Sequence, residues 1–123
     1  MNKTFLISGV LLGALGVALG AFGAHSLKSM ISEENLRVFH TGVEYLFYHV
    51  FALLATGIIA GKISSSLFKW AGNLFIAGIV LFSGSLFCLT LIPELHFVGI
   101  ITPFGGLCFI AGWILLAVAI FKS

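Results

Sequence analysis

The chain has 123 residues, of which 60% are hydrophobic and 8% are charged, and its mean hydropathy is +1.21. Soluble domains carry about a quarter charged residues, so this composition excludes an ordinary soluble protein, and its apolar content excludes a disordered chain. The formal net charge of +2 comes from scattered residues and does not indicate nucleic-acid binding. A single membrane domain over residues 1–123 is therefore predicted.

The first predicted element is an apolar segment at residues 5–24, long enough as a helix to cross a hydrocarbon core of about 30 Å. A secretory signal peptide is the alternative, since Lys3 precedes the segment, but the apolar region of such peptides is usually only about 7–15 residues long. Glycines recur here at spacings of four and three, which puts them on one side of the helix: Gly9, Gly13, Gly16, Gly20 and Gly23. This glycine seam predicts a close helix contact, within the bundle or between copies.

Residues 25–41 form the longest polar stretch and are predicted to be an outer loop. Ser32 is a candidate helix cap, and Glu33 and Glu34 would lie near the positive end of the helix that follows. A helix from Glu33 to Ala60 is longer than the hydrocarbon core is thick. We therefore expect a short amphipathic extension before a second span at residues 42–61.

The second predicted span carries its polar side chains within one half of the helix circumference, at about 100° per residue. We expect the apolar half to face lipid and the polar half to face partner helices. Together with the histidine that ends the first span, these polar side chains form a candidate polar or ligand site: His25, His40, Glu44, Tyr45, Tyr48 and His49.

Two further apolar segments, residues 67–92 and 97–121, predict a third and a fourth span joined by a short turn. Each offers small or polar residues for helix packing: Asn73 and Gly84 in the third, and Thr102, Gly105 and Gly112 in the fourth. The dipeptide Thr102-Pro103 predicts a local break in the fourth helix. The expected fold is all-α, an integral membrane four-helix bundle.

Basic residues predict the orientation. Four spans put four lysines on one side of the membrane, Lys3, Lys62, Lys69 and Lys122, and leave Lys28 and Arg37 on the other. The positive-inside rule then places both termini in the cytoplasm. In a bacterium, this means a multi-pass protein of the inner membrane.

Four stretches of the chain resemble a known family: GAFGAHSLK at residues 20–28, TGVEYLFYHVFALL at 41–54, LFSGSLFCL at 81–89 and ITPFGGLCFIAGW at 101–113. The chain is similar along nearly all its length to the uncharacterised YgdD/YwdK-like family of small bacterial inner-membrane proteins. The resemblance implies a four-span helical protein and no particular activity. The residues that match the family pattern are His25, Tyr45, His49, Ser83, Ser85, Thr102 and Pro103. The family usually has an uncharged residue near Glu44, so it implies no role for that carboxylate.

Several functional hypotheses follow from the candidate site. His40 and Glu44 are one helical turn apart, with His25 as a third metal ligand, but the chain has no HExxH motif or paired cysteine ligands. No metal or other cofactor is therefore predicted. A structural or lipid-interacting bundle, held by interhelical hydrogen bonds and able to self-associate, is the favoured hypothesis. A proton-linked or small-solute transport component that uses the His/Glu/Tyr face is the alternative, and an enzyme is the least favoured.

Cys88 and Cys108 raise a further hypothesis, a thiol oxidoreductase in the membrane. Their positions in the third and fourth spans differ in depth by roughly 9 Å, whereas the Cα atoms of a disulfide lie within about 7 Å. We therefore predict two free, structural cysteines.

Overall fold

The computed structural model describes all 123 residues, and helices and turns form the whole fold. Five α-helices run in chain order: α1 (Lys3–His25), α2 (Glu33–Ile59), α3 (Ser66–Gly78), α4 (Gly84–Leu91) and α5 (Thr102–Phe121). A π-helical segment (Ile79–Ser83) joins α3 to α4 without interruption, and two 3-10 segments cover Leu27–Ser29 and Pro93–Ile100. Four helical stretches are long and apolar enough to cross a membrane: Lys3–Ser29, Glu33–Ile59, Ser66–Leu91 and Thr102–Phe121. The predicted all-α membrane bundle is confirmed.

Side chains cap the first three spans at their N-terminal ends. Ser32 Oγ accepts a hydrogen bond from the backbone N–H of Asn35 at 3.1 Å, as the sequence predicts. Asn2 and Ser65 accept from the first turns of α1 and α3 in the same way. Each cap gives a partner to one of the N–H groups that a helix start leaves free.

The fourth span begins later than predicted, at Thr102 instead of residue 97. The preceding residues form 3-10 turns, and Leu95 leaves the helical region altogether with φ −88° and ψ 38°. Pro103 lies in the first turn of α5, where its missing N–H removes no helical hydrogen bond. The dipeptide therefore starts α5, and the predicted local break corresponds to the change from 3-10 turns to α-helix at this point.

The helices form two tightly packed pairs, α1 with α2 and α3 with α5. Contacts of α2 with α3, the π-helical segment and α4 join the pairs. Half of the residues in the apolar stretch of α2 that is long enough to span a membrane are buried, compared with 17% in the corresponding stretch of the first span. Thus α2 is the central helix of the bundle, and α1 lies at its edge.

The apolar side of α2 faces the protein, in contrast to the prediction that it faces lipid. Leu46, Val50 and Leu53 are buried, whereas Glu44 and Tyr48 are exposed. The reason is that α2 has neighbours on more than one side. Helix α1 covers the apolar half, α3 and α4 cover another part, and a narrow strip remains open.

All five glycines of the seam in α1 face α2. A Cβ atom at Gly16 would lie 2.8 Å from Leu46 Cδ2, and one at Gly9 would lie 2.6 Å from Leu54 Cδ2. A Cβ atom at Gly13 would meet no neighbour closer than 3.7 Å, which is ordinary contact. The seam is therefore occupied within one chain, and a second copy would have to use another surface.

Only some of the packing residues expected in the last two spans lie at close helix contacts. A Cβ atom at Gly105 would overlap the backbone of Phe82, and one at Gly112 would lie 2.8 Å from the ring of Phe75. Asn73 is exposed, and a Cβ atom at Gly84 would have no neighbour within 4 Å. These two residues make no such helix contact, contrary to prediction. Asn73 lies on the outer side of α3, and the π-helical segment changes the angular register before Gly84.

Candidate functional site

His49 lies buried on α2 with both ring nitrogens engaged. Nδ1 is 2.7 Å from the backbone oxygen of Tyr45, and the indole Nε1–H of Trp113 donates to Nε2 at 3.0 Å. A carbonyl oxygen can only accept, so Nδ1 carries the proton, and the Nε2 lone pair accepts from the indole. The two hydrogen bonds thus define one neutral tautomer of His49 and connect α2 to α5.

Aromatic rings fix the plane of this imidazole. The His49 ring stacks on Phe109 with centroids 3.5 Å apart and an interplanar angle of 8°. The rings of Phe75 and Trp113 each lie 5.8 Å away, at steeper angles. Phe109 can occupy this position because residue 78 is a glycine. A Cβ atom at Gly78 would overlap the Phe109 ring. The imidazole is therefore held by packing as well as by hydrogen bonds.

A cleft of about 500 Å³ lies between α2 and α5, with His49 in its lining. The lining residues are Tyr45, Tyr48, His49, Phe82, Gly106, Phe109, Ile110 and Trp113. Tyr48 and Trp113 are 54% and 47% exposed, so they lie at its mouth. This volume is within the range of about 300–1,000 Å³ that is usual for small-molecule sites. No lysine, arginine, aspartate or glutamate lines the cleft.

The π-helical segment positions one wall of the cleft. Phe82, within this segment, lies 4.8 Å from Tyr45 and 5.5 Å from Phe109, measured between ring centroids. The close approach of the α5 backbone at Gly105 brings Phe82 against α5. Short π-helical insertions in α-helices often occur at functional sites.

Polar side chains elsewhere in the spans also connect helices. Ser83 Oγ donates to the backbone oxygen of Gly42 in α2 at 2.7 Å. The hydroxyls of Ser85 and Thr102 share a hydrogen bond between α4 and α5. Every buried side-chain nitrogen and oxygen has a hydrogen-bond partner. Some of these hydrogen bonds join helices, whereas the buried hydroxyls of Thr56 and Thr90 bond to the backbone of their own helices.

The structure brings only part of the predicted polar site together. Tyr45, Tyr48 and His49 line the cleft, but His25 is exposed at the end of α1. His40 faces α1, since its Cε1 would lie 3.4 Å from a Cβ atom at Gly23.

Glu44 is exposed on the outer side of α2, one residue before the first lining tyrosine. His, Cys, Asp and Glu side chains form no group of three that could hold a metal ion. Both cysteines are free and partly buried, Cys88 in α4 and Cys108 in α5.

The aromatic partners of His49 are not evident from the sequence. Trp113 and Phe109 come from α5 and Phe82 from the π-helical segment, far from His49 along the chain. One signal was available for Trp113, because a buried indole N–H usually has a hydrogen-bond acceptor. Histidine Nε2 in a neighbouring span is such an acceptor.

Comparison with known proteins identifies the family of the chain. The sequence pattern of a family described as "Protein of unknown function (DUF423)" matches residues 19–106. The chain belongs to this family. No solved structure matches it.

Named bacterial relatives extend the similarity over nearly the whole chain. UPF0382 membrane protein SAB0533 of Staphylococcus aureus is 47% identical over 120 residues, which cover 98% of this chain and 97% of that protein. UPF0382 membrane protein YwdK of Bacillus subtilis is 46% identical over 121 residues, 98% of each chain. The family resemblance noted from the sequence is thus confirmed. This DUF423 protein is a membrane protein of a family without an assigned function.

Proposed function

We propose that this DUF423 protein is a small lipid-interacting bundle of the bacterial cytoplasmic membrane that binds a membrane-dissolved amphiphile between α2 and α5. The observation that carries the proposal is the cleft of about 500 Å³, lined mainly by aromatic and aliphatic side chains. Such a lining suits the apolar body of a ligand.

The mouth of the cleft supplies polar groups for the other part of an amphiphile. Tyr45 and Tyr48 are both exposed, and each carries a phenol hydroxyl. A phenol can donate and accept a hydrogen bond, and the indole ring of Trp113 adds an apolar face. The lining carries no formal charge, which disfavours a small hydrophilic ion as the main occupant.

The hydrogen bonds of His49 favour binding over a proton relay. To take up a proton, Nε2 would have to lose the hydrogen bond from Trp113, since a protonated nitrogen cannot accept. His25 and His40 lie away from the cleft, so neither provides a second proton acceptor beside His49. These observations support a structural and binding role for the polar residues of α2.

The proposed orientation has both termini in the cytoplasm. Lys69 lines one polar recess together with residues 64–66 and with Met1 and Asn2, which directly precede α1. The backbone N–H of Asn2 donates to the oxygen of Gly57 at 2.9 Å, which brings the start of α1 beside the end of α2. The basic residues near these ends therefore lie at one end of the bundle, as the positive-inside rule requires for a cytoplasmic side.

Filling the cleft tests the proposal. Gly106→Leu puts a side chain into the cleft, and Gly84→Leu is the matched control because Gly84 lies outside it. We expect native mass spectrometry of full-length protein, released from lipid discs, to detect a bound amphiphile on wild type and Gly84→Leu but not on Gly106→Leu. A wild-type protein released without any bound molecule, or the same molecule on Gly106→Leu, would contradict the proposal.

A further inference from the structure

Glu44 is the acidic residue that lies within the apolar part of a span. The other carboxylates lie at span ends: Glu33 and Glu34 in the first turn of α2, and Glu94 in the turn between α4 and α5. Glu44 lies about 16 Å further along the α2 axis than Glu33, and it is exposed. A carboxylate at the lipid-facing surface of a span is costly unless a partner compensates its charge.

The basic groups on the same helix are poorly placed to be that partner. The ring of His40 is directed toward α1, where its Cε1 would lie 3.4 Å from a Cβ atom at Gly23. Arg37 lies two turns earlier, about 10 Å along the helix axis. Thr41, on the intervening turn, donates its hydroxyl hydrogen to the backbone oxygen of Arg37 at 3.0 Å. The counter-charge for Glu44 is therefore expected from outside the chain.

The aromatic side chains of the cleft lie next to this carboxylate. Tyr48 follows Glu44 by one helical turn on the same face of α2, so their Cβ atoms are neighbours. The ring of Tyr45 packs edge-on against Tyr48 with centroids 5.5 Å apart. Trp113 faces them from α5, across the cleft. Electron-rich aromatic faces attract cations, and several such faces around one site are typical of quaternary ammonium recognition.

We infer that the cleft and Glu44 together bind a lipophilic organic cation, an ammonium or phosphonium group carried on an apolar body. The inference rests on the proposed function, since it names the class of molecule that the cleft holds. Charge complementarity supports this class, because the site combines an exposed carboxylate, aromatic faces and no basic residue in the cleft. The cationic group belongs either to a lipid headgroup or to a free cation dissolved in the membrane.

Two probes of the same shape and opposite charge test the inference. The full-length Trp70→Phe variant in dodecyl maltoside has Trp113 as its single tryptophan, and Trp113 lines the cleft. We expect tetraphenylphosphonium to quench Trp113 fluorescence with saturation and tetraphenylborate to bind at least about tenfold more weakly.

Glu44→Gln in the same background removes the charge and keeps the size of the side chain. We expect it to weaken tetraphenylphosphonium binding by about tenfold or more. Glu94→Gln is the matched control, because it removes one exposed carboxylate outside the cleft, and we expect it to change the affinity by less than about twofold. Competition by short-chain phosphatidylcholine would identify a lipid headgroup as a source of the cation, and its absence would identify a free cation.

Equal affinity for the two probes, or equal effects of Glu44→Gln and Glu94→Gln, would overturn the inference. Saturable quenching by both probes would still leave the cleft as a binding site, so the proposed function would stand. A lack of saturable quenching by either probe, together with no amphiphile on the wild-type protein in native mass spectrometry, would overturn both.

Discussion

At the scale of single residues, the contact between His49 and Trp113 is the hydrogen-bonded link across the cleft. The contacts of α2 are chiefly with α1, α3, the π-helical segment and α4, and those of α5 are with α3 and the π-helical segment. The hydrogen bond from the indole to Nε2 therefore connects two helices whose backbones remain apart. Removing the donor would leave a buried acceptor without a partner, which costs free energy.

Trp113→Phe tests this link. We expect it to lower the free energy of unfolding by about 1 kcal/mol, the usual scale of an interhelical hydrogen bond in a membrane protein. Unfolding of the detergent-solubilised protein by increasing dodecyl sulfate measures the change. Trp70→Phe is the control, since Trp70 is 63% exposed. Equal stabilities of the two variants would show that the link contributes nothing.

At the scale of helices, glycines set how closely the backbones approach. In α1 the glycines receive flexible side chains of α2, such as those of Leu46 and Leu54. In α5, Gly105 receives the backbone of the π-helical segment at Phe82. Side chains can shift to relieve a clash, but a helix backbone can do so only if the whole helix moves. The two glycine contacts therefore differ in how much a methyl group would disturb them.

Alanine substitutions should rank the glycine contacts. We expect Gly105→Ala to cost about 1–3 kcal/mol by overpacking and Gly16→Ala to cost less. Gly84→Ala should be neutral, or stabilising by up to about 1 kcal/mol through helix propensity, because it faces open space. Thermal unfolding in detergent gives the order. If Gly105→Ala unfolds at the same temperature as Gly84→Ala, the backbone contact at Phe82 does not limit packing.

At the scale of the whole molecule, the proposed topology has four antiparallel spans, so both chain ends lie on one side of the membrane. This proposed topology assigns Lys3, Lys62, Lys69 and Lys122 to that side, and Lys28 and Arg37 to the other. The excess of basic residues then favours a cytoplasmic position for both termini.

Reporter fusions check this orientation. We expect a fluorescent protein fused after Ser123 to be bright, since it folds in the cytoplasm. Alkaline phosphatase at the same position should be inactive, since it folds only outside the cytoplasm. The same enzyme fused after Ser29, in the first outer loop, should be active. The reverse pattern at the two positions would mean that the termini lie outside.

The sequence by itself determined the number of spans, the Ser32 cap and the alignment of the α1 glycines on one face. Length, composition and periodicity suffice for these features, because a helix in lipid must satisfy its own backbone and has a fixed angle per residue. Only the tertiary structure decided which faces meet. In lipid, burying an apolar side chain against protein gains little over leaving it in the bilayer, so hydrophobicity does not tell the buried side of α2 from the open one.

The shape of the helix surfaces decided which side of α2 is buried. The glycine seam of α1 admits the side chains of Leu46 and Leu54, which turns the apolar half of α2 inward and leaves Glu44 and Tyr48 outside. The π-helical segment then brings Phe82 against Tyr45, an arrangement that a regular helical register does not predict. The residues of the candidate site were therefore visible along the chain on α2. Their aromatic partners depended on how α5 and the third span pack, which one-dimensional periodicity does not encode.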